Sequence, residues 1–174
     1  MSQRVDQAEQ RFLDGWNCAQ AIVSVYAPAF GIEEETALRM TAPLDGGLGC
    51  RGHVCGAVNG ACLVLGLTYG HTQPGPTEEK QATIDITREF LKRFEEKHGR
   101  VNCRGLLRVN IGNPEGMQRA VEDDLFTQRC PGFVRTACEI IEELLYEQQS
   151  TTEAGNDQAT DVGGGKRKDT RDFR

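Results

Sequence analysis

Hydrophobic residues recur along most of the chain at intervals of three and four, the spacing that places them on one face of an α-helix. No segment shows sustained alternation of apolar and polar residues, and clusters of β-branched residues are short. The pattern therefore predicts an all-α fold. We expect one compact multi-helix domain over residues 1–148 and a disordered polar tail over 149–174, where the apolar periodicity stops.

Capping residues, glycines and prolines divide this pattern into separate helices. Asn17 and Thr77 have the side chains that cap helix starts, and Lys97-His98-Gly99 is typical of a helix end. The predicted helices are 2–13, 18–26, 33–40, 53–69 and 78–98, a short turn at 103–108, a weaker helix after Pro114, and a final helix that Cys130-Pro131 opens and that ends near Glu147.

The most apolar predicted helix runs from His53 to Tyr69. Cys55, Val58, Cys62 and Leu65 form one stripe along it. Its glycines lower helix propensity by roughly 1 kcal/mol each relative to alanine. We therefore predict that Gly56 and Gly60 allow the close approach of another backbone or of a bound cofactor.

The charge and the longest apolar segments exclude several functional classes. The formal net charge is −6, whereas a general nucleic-acid binder usually carries a basic face. The apolar stretch Ala61–Leu67 is too short to span a bilayer, and the first residues lack the apolar core of a secretory signal. We therefore expect a cytoplasmic protein with no membrane span. The basic end of the tail, KRKDTRDFR, is interpreted as solvated.

Seven cysteines require an explanation in a cytoplasmic chain. The cytosol keeps thiols reduced, and an odd number argues against a simple disulfide framework. A buried cysteine that acts only as a small hydrophobic residue is the ordinary alternative. Cys62 and Cys138, which lie inside predicted helices, fit that alternative.

The four cysteines Cys18, Cys55, Cys103 and Cys130 share a different position, at the predicted start of a helix. Backbone N–H groups are unpaired there and the helix dipole is positive, so the thiol pKa falls and the thiolate is stabilised. Thiolate is the form that binds metals and attacks disulfides. We therefore predict that these four side chains converge in one redox or metal site.

Two further patterns have weaker support. Gly47–Gly52 matches G-x-G-x-x-G, but that motif binds dinucleotides only between a strand and a helix, so we interpret it as a flexible loop. Cys50, His53 and Cys55 are close enough in sequence to form a zinc site. Zinc sites are usually built from two ligand pairs such as C-x-x-C, and the chain contains no C-x-x-C. His71 and His98 are interpreted as loop and helix-end residues.

Four segments together resemble a known family. They are Asn17-Cys18-Ala19-Gln20-Ala21, Gly46-Gly47 through Cys55-Gly56-Ala57-Val58-Asn59-Gly60, Asn102-Cys103-Arg104 and Cys130-Pro131. On these residues the chain resembles the C_GCAxxG_C_C family of redox-active proteins, over about residues 5–147. The resemblance selects the same four cysteines as the helix-start argument. It leaves Cys50 as a substitute ligand or a resolving thiol.

The resemblance implies redox chemistry at the cysteines, and similar domains appended to multihaem cytochromes favour an iron–sulfur cluster. The chain itself has no C-x-x-C-H and therefore no site for covalent c-type haem. A redox role implies a redox partner protein, which the sequence does not identify, and neither enzymatic turnover nor oligomeric state follows from it.

The sequence is compatible with three functions. The first is electron transfer through an iron–sulfur cluster on four thiolates, with Gly56 and Gly60 beside it and Cys18, Cys55, Cys103 and Cys130 as ligands. The second is a thiol–disulfide cycle of the same cysteines, and the third is a zinc-stabilised helical adaptor. We favour the first, because helix N-termini offset the negative charge of bound thiolates, whereas a disulfide carries no charge.

Overall fold

The periodic segments fold as helices. The computed structural model describes residues 2–156, with side chains described through Gln148 and at Ser150. Within this range it contains eight α-helices and no strand of a sheet, which confirms the predicted all-α fold. The helices are α1 Gln3–Leu13, α2 Cys18–Tyr26, α3 Glu34–Thr41, α4 Gly56–Tyr69, α5 Glu78–His98, α6 Cys103–Leu107, α7 Pro114–Glu122 and α8 Leu125–Asn156, with 3₁₀ turns at Ala27–Phe30 and Ala42–Leu44.

Local capping explains why several helix ends were predicted correctly. Asn17 and Gln20 form a reciprocal capping box at the start of α2, in which Asn17 Oδ1 accepts from Gln20 N at 2.9 Å. Thr77 Oγ1 accepts from Lys80 N at 3.1 Å at the start of α5, which ends at Gly99 with φ +75°. Each cap satisfies backbone groups that the helix leaves unpaired.

Helix α2 lies in the middle of the bundle and packs against α1, α3, α4 and α8. Its Ile22 and Tyr26 are fully buried. Phe90 and Phe94 of α5 close one side of the core, and the other side is closed by α8 through Ile140, Ile141 and Leu144. Burial of this aliphatic and aromatic surface is the main favourable contribution to folding.

The final helix begins earlier than predicted. Helix α8 starts at Leu125, so Pro131 lies inside it and Cys130 is not at a helix start. An interior proline costs about 3 kcal/mol or more. The added turn packs Leu125 and Phe126 against the core, and Arg129 Nη1 donates to the last two carbonyls of α6 at 3.3 Å each. These tertiary contacts offset the cost, and no local sequence signal reports them.

The same helix extends beyond the predicted end near Glu147, to Asn156. Adding a residue to an existing helix is much easier than nucleating one, so the polar segment continues as helix as far as Gly155-Asn156. The remainder of the predicted tail, 157–174, lies outside the described residues. No helix in the described part of the chain combines the length and apolar character that a membrane span requires.

Candidate functional site

A short antiparallel bridge positions two of the four cysteines. Val54 pairs with Asn102. Cys55 N donates to Val101 O at 2.8 Å, and Cys103 N donates to His53 O at 2.8 Å. The residues before α4 are therefore extended, and α4 begins at Gly56 rather than at His53 as predicted. Cys55 is the N-cap residue of α4, and Cys103 is the first residue of α6.

Two glycines of α4 allow α2 to approach and bring Cys18 to this bridge. A Cβ atom added at Gly56 would lie 3.2 Å from Ala19 N and 3.2 Å from Cys18 Cβ. One added at Gly60 would lie 3.2 Å from Ala19 Cα. Both glycines thus permit close helix packing, one of the two roles predicted for them. Their role toward a cofactor stays a prediction.

The four thiols meet at the junction of α2, α4, α6 and α8. The Cys18 thiol interacts directly with those of Cys130 and Cys55, and the Cys55 thiol interacts directly with that of Cys103. Cys103 also interacts electrostatically with Cys130. The predicted convergence of four cysteines that are distant in sequence is therefore confirmed. We call this group the thiol cluster.

The thiol cluster is largely shielded from solvent. Cys55, Cys130 and Cys103 are 1%, 6% and 7% exposed, and Cys18 is half-buried. Cys130 reaches the cluster from the interior of α8, not from a helix start as predicted. Three of the four cysteines lie at helix N-termini, and the fourth is supplied by packing alone.

Cys55 is the member of the cluster that favours the thiolate. Hydrogen bonds from the thiols of Cys103 and Cys18 hold the pKa of Cys55 well below its usual range, against the opposing effect of burial. The N–H groups of Ala57 and Val58, in the first turn of α4, lower this pKa further. This is the effect expected for a thiol at a helix N-terminus.

The thiols beside it shift in the opposite direction. Hydrogen bonds with Cys130 and Cys55, together with burial, raise the pKa of Cys18 well above its usual value. The hydrogen bond to Cys55 and burial likewise raise the pKa of Cys103, although an N–H bond from Gly56 partly opposes this. Among these thiols, Cys55 is thus the one whose surroundings favour the thiolate, and those of Cys18 and Cys103 favour the protonated form.

The other three cysteines have separate environments. Burial raises the pKa of Cys62, inside α4, to about 11. Cys138 is fully buried in α8 and interacts with Tyr26, whose hydroxyl donates to Glu142 Oε1 at 2.8 Å. Cys50 is half-buried in the loop before α4, where burial and then Asp45 raise its pKa. The groups that act on Cys50 are thus not thiols of the cluster.

His98, which the sequence correctly indicated as a helix-end residue, also lies near the site. Its ring lies 4.8 Å from that of Phe94 and 5.0 Å, edge-on, from that of Phe133. Nε2 is buried and has no hydrogen-bond partner among the described residues. Burial and Lys97 lower the pKa of His98, and Cys55 opposes this. The sequence contained one signal for this position: Phe94, a buried residue of α5, lies four residues earlier and therefore on the same face of the helix as His98.

A metal ion or cluster requires several ligand side chains arranged around it. Among the described residues, no three His, Cys, Asp or Glu side chains form a group that could hold a metal ion. This holds also for Cys50, His53 and Cys55, the set that the sequence suggested for zinc. The thiols of the cluster interact directly with one another. The type of ligand nevertheless fits an iron–sulfur cluster, which is held by four cysteine sulfurs. Backbone N–H groups donate to two of the four sulfurs, those of Cys55 and Cys103.

Fold and site together define the class: an all-helical protein that gathers four thiols from distant segments around one helix N-terminus. The family model described as "Putative redox-active protein (C_GCAxxG_C_C)" matches residues 16–144. Because this match covers most of the chain, the protein belongs to that family. Neither the curated proteins nor the solved structures contain a match.

Proposed function

We propose that the protein transfers electrons through an iron–sulfur cluster held by Cys18, Cys55, Cys103 and Cys130. The observation that carries the proposal is the contact of four thiols, three of them from buried residues, beside the first turn of α4. Bound to these thiolates, such a cluster would supply reversible one-electron chemistry. The rest of the proposal concerns what the chain's own groups do.

Burial favours electron transfer over chemistry that needs atomic access. Thiol–disulfide exchange requires a thiolate to attack a partner's sulfur directly. Cys55, the thiol that favours the thiolate, is only 1% exposed. Electrons can pass to a partner without contact at the sulfur, so a shielded cluster suits that role and also keeps water away from the sulfurs.

The N-terminus of α4 supports a site of high negative charge. The N–H groups of Ala57 and Val58 point to the sulfur of Cys55, and that of Gly56 points to the sulfur of Cys103. Hydrogen bonds to ligand sulfurs are one way in which a protein sets the potential of an iron–sulfur site. A disulfide carries no charge and would gain little from the same groups.

Loading the site would release protons. Ligand cysteines bind metals as thiolates, and metal binding therefore displaces the protons of Cys18 and Cys103, whose pKa values are raised. We place the protein in the cytoplasm as part of the same proposal, because thiols stay reduced there.

A thiol–disulfide cycle is the second candidate, favoured by one observation. The Cys55 thiolate directly contacts Cys18 and Cys103, so either could form a bridge with it. Forming that bridge removes two electrons and two protons from two thiols, and a partner disulfide would take them up. This alternative requires the site to open, because Cys55 and Cys103 are buried.

Metal analysis of anaerobically purified protein tests the proposal. We expect iron and acid-labile sulfide together with visible absorbance. Cys55→Ser and Cys103→Ser should lose both the iron and the absorbance, because each removes a ligand thiolate. Cys62→Ser is the matched control, since Cys62 lies in the same helix outside the cluster, and it should keep them.

The opposite result is equally specific. Protein that contains no iron, resists reconstitution with iron and sulfide, and titrates as a reversible dithiol would overturn the cluster and establish the thiol cycle. Stoichiometric zinc that is lost in Cys55→Ser, without visible absorbance, would instead restore the adaptor hypothesis.

A further inference from the structure

A groove of about 640 Å³ opens beside the thiol cluster. Asn17 and Gln20, which flank Cys18 in the first turn of α2, form part of its wall. Thr127 of α8 also lines it, one helical turn before Cys130. The groove therefore lies next to the Cys18–Cys130 side of the cluster.

The lining of the groove is aromatic and nearly uncharged. Phe12, Trp16 and Phe126 supply three aromatic rings, and Met117 adds an adaptable apolar surface. Trp16 is 39% exposed and so presents part of its ring to a ligand. Such walls favour a flat ring system that can stack between them.

The two amide side chains of the wall are already hydrogen-bonded within the protein. Asn17 Nδ2 donates to Ala42 O at 3.2 Å, and Gln20 Nε2 donates to Leu38 O at 3.0 Å. Their side-chain oxygens are used in the capping box of α2. Among the described residues that line the groove, Asp45 is the only charged one. A phosphate or carboxylate ligand would meet this carboxylate and no cation to offset it.

We infer that this groove binds a neutral, planar aromatic redox compound of the quinone class. The inference deepens the proposed function, on which it rests, by naming the small electron donor or acceptor that docks beside the thiol cluster. The volume lies within the range of about 300–1,000 Å³ typical of ligand sites and exceeds that of a single quinone ring. The lining of the groove contains no cation among the described residues, so it does not favour phosphorylated flavins or thiol peptides, which carry negative charge.

The single tryptophan of the chain makes the binding directly measurable, because Trp16 lines the groove. Duroquinone is the probe, since methyl groups occupy all four ring carbons that are not carbonyls and so block substitution there by the thiol of Cys50. We expect saturable one-to-one quenching of Trp16 fluorescence. N-acetyltryptophanamide, corrected in the same way for absorption, should show only quenching that is linear in concentration.

Two adjacent substitutions on α8 test the location. Thr127→Arg places a long side chain in the groove and should weaken duroquinone binding by at least about tenfold. Gln128→Arg makes a similar change at the next exposed position, which does not line the groove, and should alter the affinity by less than about twofold. Iron content and thermal stability of both variants show whether the fold and the cluster are intact.

The outcomes separate this inference from the proposed function. Saturable binding to protein that contains no iron and resists reconstitution with iron and sulfide would support the groove and overturn the cluster. A loaded cluster with only linear quenching would overturn the quinone site and leave the cluster standing. Binding of flavin mononucleotide as tight as that of duroquinone would overturn the charge argument. A dimer that Thr127→Arg converts to monomer would assign the groove to a second copy of the chain.

Discussion

The two ends of α4 differ although they are built from the same residue types. At the start of the helix, Gly60 lies so close to α2 that an added Cβ would be 3.2 Å from Ala19 Cα. Near the end of the helix, a Cβ added at Gly66 would meet nothing within 4 Å. The first end is a backbone-to-backbone contact that holds Cys18 at the site, and the second borders an apolar pocket of about 220 Å³.

Cys55, at the start of α4, and Cys62, in its middle, differ in the same way. The pKa of Cys55 is lowered by hydrogen bonds from Cys103 and Cys18 and by the free N–H groups of the first turn. The pKa of Cys62, inside the same helix, is raised to about 11 by burial. A cysteine in an apolar helix is therefore made reactive by the helix end and its neighbours, not by burial itself.

The contact between α2 and α4 gives the largest predicted effect. Gly60→Ala should destabilise the protein by about 1–3 kcal/mol, because the added methyl group would crowd buried backbone that cannot move aside. This crowding outweighs the roughly 1 kcal/mol that alanine gains in helix propensity. Chemical denaturation measures the change. An unchanged or raised free energy of unfolding would show that the helices can separate without loss.

Alkaline pH should reveal the half-buried thiol of Cys62 in the middle of α4. The pKa of Cys62 is about 9 when unfolded and about 11 when folded, so its contribution to stability is complete below pH 9 and is lost as the pH rises through 11. The stability difference between wild type and Cys62→Ala should narrow by about 1–2 kcal/mol over that range. A difference that stays constant with pH would contradict the buried neutral thiol.

Gly66→Ala should act in the opposite direction to Gly60→Ala. Space is free around the added methyl group, so only the gain in helix propensity remains. We expect a stabilisation of about 0.5–1 kcal/mol in the same denaturation experiment. A loss of stability would mean that the open face of α4 is covered in solution, and sedimentation of the wild type would then show self-association.

Removal of the polar C-terminal segment should have the smallest effect. A chain that ends at Gln148 keeps Glu147, which accepts from Arg93 Nη1 at 2.9 Å. We expect its free energy of unfolding to stay within about 0.5 kcal/mol of the full chain, because the removed residues lack apolar periodicity. Glu147→Gln is the control for the ion pair. A large loss on truncation alone would show that residues after 148 pack on the core.

The sequence alone determined the helical class and the helix starts at Cys18, Glu78 and Cys103, because a cap depends on residues three positions apart. It also selected three cysteines of the cluster through their helix N-termini, which favour thiolates, whereas Cys130 was selected correctly only by the family resemblance.

Only the tertiary structure decided how those cysteines act. The late start of α4 depends on the bridge between Val54 and Asn102, which are distant in the chain. The interior position of Cys130 depends on packing that outweighs a proline. The thiolate falls on Cys55 because Cys18 and Cys103, from two other segments, donate to it. Local patterns specify where helices begin, whereas contacts between helices determine which thiol holds the charge.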